Sequence, residues 1–116
     1  MTEIYEMSLT HLDQGLRNGS FSLDEMMESL VTRIGQREAA IQAFTILDLD
    51  KTQTFFSQIK SQPRTSAISG IPFGVKDIFN TWDAITAYGS DIYSGHQPVS
   101  DASVISQLRA AGGVVM

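Results

Sequence analysis

The sequence predicts an α/β fold in which helices pack on a mixed β-sheet that is incomplete in this chain. Four segments carry apolar residues at the three- and four-residue spacing of amphipathic helices. Three short segments between and after them are rich in β-branched or aromatic residues, as strands are. With 116 residues, 42% of them hydrophobic, the chain has enough apolar side chains to bury a core.

The first two helices have start and stop signals in the sequence. We predict a helix over about 8–18, ended by Gly19, because glycine readily adopts the left-handed conformation that follows many helices. We predict a second helix over about 23–36, because Ser22 and Glu25 have the spacing of a capping box. The inward positions of this second helix, which we expect in the core, are Leu23, Met26, Met27, Leu30, Val31 and Ile34.

The middle of the chain is predicted to alternate between strand and helix. The segment 41–47 is short, β-branched and aromatic, which indicates a strand. Asp50 is then expected to cap a third helix over about 50–60. A second strand is predicted over about 71–78, after a polar loop.

The end of the chain predicts a crossover between parallel strands. We expect a helix over about 102–111 with Asp101 as its N-cap, and then a buried strand at 114–116. This order of elements would bring the last strand back parallel to the strand at 71–78. Three residues are fewer than the five or six of a typical strand, so we expect the chain to be truncated within a longer fold.

The composition excludes several classes of function. The 8 basic and 13 acidic residues give a net charge of −5, and the basic residues are scattered, which argues against direct nucleic-acid binding. His11 and His96 lie far apart and cysteine is absent, so we expect no metal or other cofactor. We find no apolar run long enough to cross a membrane and no secretion signal, and we expect a cytoplasmic protein.

The segment 70–77, with the sequence GIPFGVKD, contains one lysine among apolar residues and glycines. We expect Lys76 to lie at the end of a buried strand, with Asp77 pointing to the other side. Desolvation penalises a charged amine, so such burial would lower the pKa of Lys76 from about 10.4. A lysine of this kind can serve as a general base.

Three motifs follow one another in order along the second half of the chain. They are GIPFGVKDIFN from residue 70, TAYGS at 86–90 and DASVISQLRAAGGVV at 101–115. Together with the upstream helices and the AFTILD segment at 43–48, they resemble the N-terminal portion of the amidase signature family. The resemblance implies that 1–116 is the N-terminal segment of a single amidase-signature domain.

The resemblance also implies a reaction. Lys76 matches the lysine of the family's Ser-cisSer-Lys triad, in which the lysine accepts a proton from the nucleophilic serine through a bridging serine. Such enzymes hydrolyse the carbon–nitrogen bond of a linear amide, and their two serines belong to a Gly/Ser-rich segment that this chain lacks. The chain alone is therefore expected to be inactive, and the sequence identifies no substrate-binding residues.

Two other functions remain open from the sequence. The chain could be a non-catalytic segment that folds or dimerises, or it could belong to the A subunit of a glutamyl-tRNA amidotransferase. The expected partners are accordingly a small amide substrate, a second copy of the chain or amidotransferase-like subunits, with no membrane.

The other candidate residues are expected to have structural roles. The segment 88–90 matches a family turn near the active-site cleft, and glycine and serine are ordinary turn residues. We expect His96 to be exposed and Trp82 to pack over the irregular segment 79–100. A loop of that length usually lines a site or packs as an Ω-loop.

Overall fold

The computed structural model describes residues 2–116, which form four α-helices and a two-stranded parallel sheet. The helices are α1 at Leu9–Asn18, α2 at Leu23–Ile41, α3 at Leu49–Lys60 and α4 at Ser103–Ala110. The strands are β1 at Pro72–Phe73 and β2 at Val114–Val115. Single 3₁₀ turns lie at Ile4–Glu6 and Asp91–Tyr93.

The starts of α1 and α2 follow the predicted capping signals. The Ser8 side chain accepts the His11 amide at the start of α1, and Gly19 ends that helix with φ 74°. At the start of α2, the Glu25 amide donates to Ser22 Oγ at 3.2 Å, and the Ser22 amide donates to Glu25 Oε2 at 2.7 Å. These bonds satisfy amide groups that the first turn of a helix leaves free.

The α2 helix is longer than the predicted 23–36 and ends at Ile41. The added turn contains two alanines, which favour helix, and Gln42 then ends the helix in a left-handed conformation with φ 55°. The Gln42 amide donates to the Glu38 carbonyl at 2.7 Å. The prediction placed the end too early because the sequence has no glycine at the true end.

The predicted strand at 41–47 is wrong. Ile41 belongs to α2, and 42–48 is irregular chain without a strand partner among the described residues. The Phe44 amide donates instead to Glu38 Oε1 at 2.9 Å, so its hydrogen bond goes to a side chain rather than to a sheet. Asp48, not Asp50, caps α3 by accepting the Lys51 amide at 3.0 Å.

The parallel pairing of the last two predicted strands is present, but both strands are short. Pro72 pairs with Val114 and Phe73 with Val115, and α4 lies in the connection between the two strands. Only two residues of the predicted strand 71–78 have a partner, so the chain leaves the sheet after Phe73. The two strands of the described residues form a parallel sheet.

Two apolar clusters join the helices to the sheet. One contains Leu12, Met26 and Ile71, and the other contains Met27, Phe56 and Val114. The prediction that the two methionines of α2 fill the core is confirmed, because both are buried. Met26 and Met27, which are adjacent in α2, thus lie in different clusters. Together the two clusters hold the chain at β1 and β2 against the helices.

The role predicted for Asp101 is wrong. The N-cap position of α4 is Ala102, and no side chain caps this helix. The Asp101 carboxylate instead accepts the Trp82 amide at 3.0 Å and lies 2.9 Å from Arg109 Nε. A charged partner within the fold therefore replaces the local capping contact that the sequence suggested.

Within residues 2–116, no helix combines the length and the apolar character that crossing a bilayer requires.

Candidate active site

Lys76 lies beside a cleft at the carboxyl ends of β1 and β2. The cleft runs between the segment 45–52, the segment 75–86 and the end of β2. A more open groove of about 370 Å³ adjoins it, bounded by Lys76, Gly74 and the segment 43–46. This volume lies at the lower end of the range for small-molecule sites. Ligands of parallel α/β sheets bind at this edge, so Lys76 is placed where such a ligand would lie.

The backbone at Lys76 forms a tight turn shortly after β1. The Lys76 carbonyl accepts the amides of Ile78 at 2.7 Å and Phe79 at 3.1 Å. The turn directs the chain away from the sheet, and it leaves Lys76 outside the strand that was predicted to contain it. The position of the Lys76 main chain is therefore fixed by hydrogen bonds although no strand holds it.

The expected burial of Lys76 is wrong for the described residues, because its side chain is exposed. Lys76 nevertheless differs from the other two lysines of the chain. Lys51 Nζ donates to the Asp83 carbonyl at 2.5 Å, and Lys60 Nζ binds Asp24 Oδ1 at 2.7 Å. The Lys76 amine has no side-chain hydrogen bond or ion pair within residues 2–116. The Lys76 side chain is therefore not engaged by another residue of this part of the chain and is available to groups that enter the cleft.

Asp77 does not pair with the neighbouring lysine. Its Oδ1 accepts the Ala87 amide at 2.9 Å, which joins the turn after β1 to the segment 86–90. Asp77 and Lys76 were expected to point to different sides, but both line the cleft and the adjoining groove. No ion pair joins the two side chains in the described part of the chain. The contact brings together two of the motifs that carry the family resemblance.

The segment 86–90 forms a turn with an unusual backbone. Tyr88 and Gly89 have φ values of 55° and 69°, and the Ser90 amide donates to the Ala87 carbonyl at 3.0 Å. Positive φ at both central residues is the pattern of a type I′ turn, which seldom has tyrosine at its first central position. The Tyr88 hydroxyl bonds to Asn80 Oδ1, which helps to hold this conformation.

The aromatic candidates lie outside the cleft. His96 is exposed, as expected, and its ring stacks on Tyr88 with centroids 6.1 Å apart. The rings of Tyr93 and Tyr88 meet edge to face, with their centroids 5.1 Å apart. Trp82 is 52% exposed, and the centroid of its ring lies 5.8 Å from the guanidinium carbon of Arg109. His96 thus has the exposed position expected for it, whereas the contact of the Trp82 ring is with Arg109 of α4, which lies outside the segment 79–100.

Sequence reasoning missed a charge cluster in the wall of the cleft, which Asp83 lines. Arg109 Nη2 binds Asp83 Oδ1 at 2.7 Å, and its Nε faces Asp101 without an aligned hydrogen bond. The two carboxylates are only 6% and 9% exposed. Lys51 also reaches this cluster through the Asp83 carbonyl. The contacts join residues between 8 and 32 positions apart, so no local pattern could have indicated the cluster.

Among residues 2–116, no group of three or more histidine, aspartate or glutamate side chains is arranged to hold a metal ion.

The chain belongs to the amidase family, whose sequence profile, described as Amidase, matches residues 25–116. This region contains Lys76 and all three motifs of the second half. It also contains the Asp77–Ala87 contact that joins two of those motifs. The family resemblance seen in the sequence is thereby confirmed.

The relatives include the A subunits of glutamyl-tRNA(Gln) amidotransferase from two bacteria. The protein of Roseiflexus castenholzii is 29% identical over 119 residues, covering 100% of this chain and 24% of its own length. That of Chloroflexus aurantiacus is 32% identical over 120 residues, covering 100% of this chain and 25% of its own length. The chain thus spans about a quarter of the length of these relatives.

Solved structures show the same fold over the same portion. The 6-aminohexanoate cyclic dimer hydrolase superposes with a TM-score of 0.80 at 20% identity, covering 100% of this chain and 23% of the hydrolase. A protein from a vestigial complex related to an s-triazine catabolic enzyme gives a TM-score of 0.79 at 24% identity, covering 94% and 25%. The helices and the parallel strands of this chain are therefore part of the amidase signature fold.

Proposed function

We propose that this chain is the base-bearing segment of a cytoplasmic amidase that hydrolyses a linear carbon–nitrogen amide bond. The proposal depends mainly on one observation, the partner-free amine of Lys76 at the edge of the sheet where ligands bind. Membership of the amidase family supports it, because Lys76 lies in the motif that matches the lysine of the Ser-cisSer-Lys triad.

In the proposed reaction, the neutral Lys76 amine accepts a proton from the nucleophilic serine through the bridging serine. The serine oxygen attacks the amide carbonyl, the carbon–nitrogen bond breaks and the leaving amine takes up the proton. Water then hydrolyses the acyl-enzyme and regenerates the serine. Both serines would come from a Gly/Ser-rich segment outside this chain, and we propose that the same part of the protein covers the Lys76 side chain.

The names of the relatives favour one particular form of this function. Several are the A subunits of glutamyl-tRNA(Gln) amidotransferases, so this chain would belong to a polypeptide that works with others. Co-purification of the protein with further subunits would support this form. A protein that turns over free amides as a single polypeptide would contradict it.

A non-catalytic role is the alternative of a different class. The two roles differ in whether the reading frame continues beyond Met116 into a Gly/Ser-rich segment. The mass of the protein purified from its source answers the same question. A mass near 12.7 kDa, which is that of the chain itself, would favour the non-catalytic role.

The activity test compares Lys76→Ala with Lys60→Ala in the protein that contains this chain. We expect Lys76→Ala to lower kcat for p-nitroacetanilide or acetamide by about 10³-fold or more, because the nucleophile loses its base. Lys60 pairs with Asp24 on the surface, away from the cleft, so its variant should keep the wild-type rate. Circular dichroism checks that both variants fold. A folded Lys76→Ala variant with most of its activity would remove the assignment.

A further inference from the structure

We propose that Asp77 is a positioning residue for Lys76, and this inference rests on the proposed function. By binding the Ala87 amide, the Asp77 carboxylate fixes the turn that carries Lys76 and stays away from the neighbouring amine. This role follows from the position of a carboxylate directly beside a lysine that has to be uncharged when it accepts a proton.

A free carboxylate at this position would oppose the function of the lysine. A nearby negative charge stabilises the ammonium form and so disfavours the neutral amine. Asp77 is adjacent in sequence and lines the same cleft and groove as Lys76. Its Oδ1 is engaged by the Ala87 amide at 2.9 Å, and no ion pair joins the two side chains within residues 2–116. The contact therefore holds the Asp77 carboxylate on the Ala87 amide instead of on the Lys76 amine.

The group that Asp77 binds is itself fixed. Ala87 follows Thr86, which is 1% exposed and whose amide donates to the His96 carbonyl at 3.0 Å. Ala87 also begins the type I′ turn that the contact between Tyr88 and Asn80 supports. Asp77 thus binds a point on a braced turn rather than a loosely held loop.

The turn that carries Lys76 is consequently held from two directions. The Lys76 carbonyl accepts the amides of Ile78 and Phe79 within the turn, and Asp77 ties the same turn to Ala87. The Phe79 carbonyl also accepts the Thr86 hydroxyl at 3.4 Å, which adds a second link between the two segments. Loss of the Asp77 contact would loosen the attachment of the Lys76 turn and release a carboxylate beside the amine.

The test measures lysine reactivity in the protein that contains this chain. The protein is treated with substoichiometric N-acetoxysuccinimide, and acetylation of Lys76 is compared with that of Lys60 by peptide mass spectrometry. Ala87→Pro removes the N–H donor, and the freed Asp77 carboxylate should then pair with Lys76. We expect the ratio of Lys76 to Lys60 acetylation to fall by about threefold, as for an exposed ion pair.

The double variant Ala87→Pro with Asp77→Asn separates this effect from simple distortion of the turn. An amide does not pair with an ammonium group as a carboxylate does, so the acetylation ratio should return to the wild-type value. A purely structural role of Asp77 would give no such recovery. A ratio that does not fall in Ala87→Pro, or that does not recover in the double variant, would overturn the proposal.

A second measurement tests the contact between Asp77 and Ala87 without a proline substitution. Asp77→Ala and Asp77→Asn both remove the charge, but only asparagine keeps an oxygen that can accept the Ala87 amide. We expect hydrogen exchange at Ala87 to accelerate about tenfold in Asp77→Ala and to stay within about threefold of wild type in Asp77→Asn. Equal exchange in wild type and Asp77→Ala would count against the contact.

The outcomes distinguish this proposal from the proposed function. If the acetylation ratio falls and recovers as expected while Lys76→Ala keeps its amide turnover, Asp77 positions the amine but the amine is not the base. If Lys76→Ala is inactive and the ratio is insensitive to Ala87→Pro, Lys76 is the base without help from Asp77.

Discussion

The helical region 2–60 and the chain between β1 and α4, residues 74–101, are each stabilised by a different kind of contact. We call the second region the irregular segment 74–101. In the helical region, the polar contacts that begin each helix join residues three apart, as in the Ser22 and Glu25 capping box. In the irregular segment, Asp77 binds Ala87 and Arg109 binds Asp83, which are 10 and 26 residues apart. The comparison shows that the segment beside Lys76 depends on contacts distant in sequence.

The largest effect should come from breaking the buried charge cluster with Arg109→Met. This change leaves the carboxylates of Asp83 and Asp101 buried without their cation, which should cost about 3–5 kcal/mol of unfolding free energy in urea denaturation. The control is Lys60→Met, because the Lys60 and Asp24 side chains are 39% and 64% exposed. Loss of such a surface pair costs at most about 1 kcal/mol. Equal effects of the two changes would show that the irregular segment does not depend on Arg109.

A smaller effect is expected from the local contacts of the helical region. Ser22→Ala removes the oxygen that accepts the Glu25 amide, which should lower the unfolding free energy by about 1 kcal/mol. The matched control is Ser29→Ala within α2, since Ser29 makes no side-chain hydrogen bond in the described part of the chain. That change should stay within about 0.5 kcal/mol. A cost of Ser22→Ala as small as that of the control would contradict the capping role.

The smallest effect concerns the acid sensitivity of α1. Side-chain hydrogen bonds from Arg17 and then Arg64 hold the pKa of Asp13 below its ordinary value of 3.8, although partial desolvation opposes them. Because the folded state lowers this pKa, the stabilisation is complete well above pH 4 and is lost as the pH falls through the folded-state value. The difference in unfolding free energy between wild type and Asp13→Asn should be constant near neutral pH and shrink below about pH 4. A difference that grows in acid would contradict this assignment.

Much of the helical region could be predicted from the sequence. Glycine at 19 and the serine and glutamate at 22 and 25 act within one turn of the helices they border, so their effect is visible locally. The parallel pairing of the two strands also followed from the order of elements. The strand predicted at 41–47 failed because β-branched composition does not supply a neighbouring strand.

The candidate site could be predicted only in part. The motif around Lys76 indicated the family and the residue, but it did not indicate that the turn at 76–79 leaves the side chain exposed. Asp101 has the sequence position of an N-cap, yet the guanidinium of Arg109 and the Trp82 amide bind its carboxylate instead. Both differences arise because tertiary contacts override a local preference.

The most direct measurement is the relative acetylation rate of the three lysines in the wild-type chain at neutral pH. Acetylation requires a free amine, and Lys51 and Lys60 are held by Asp83 and Asp24. We expect Lys76 to react first, because its amine has no partner within residues 2–116. If Lys76 instead reacts more slowly than Lys51 and Lys60, its amine is not the free group of the cleft, and the main observation behind the proposed function is contradicted.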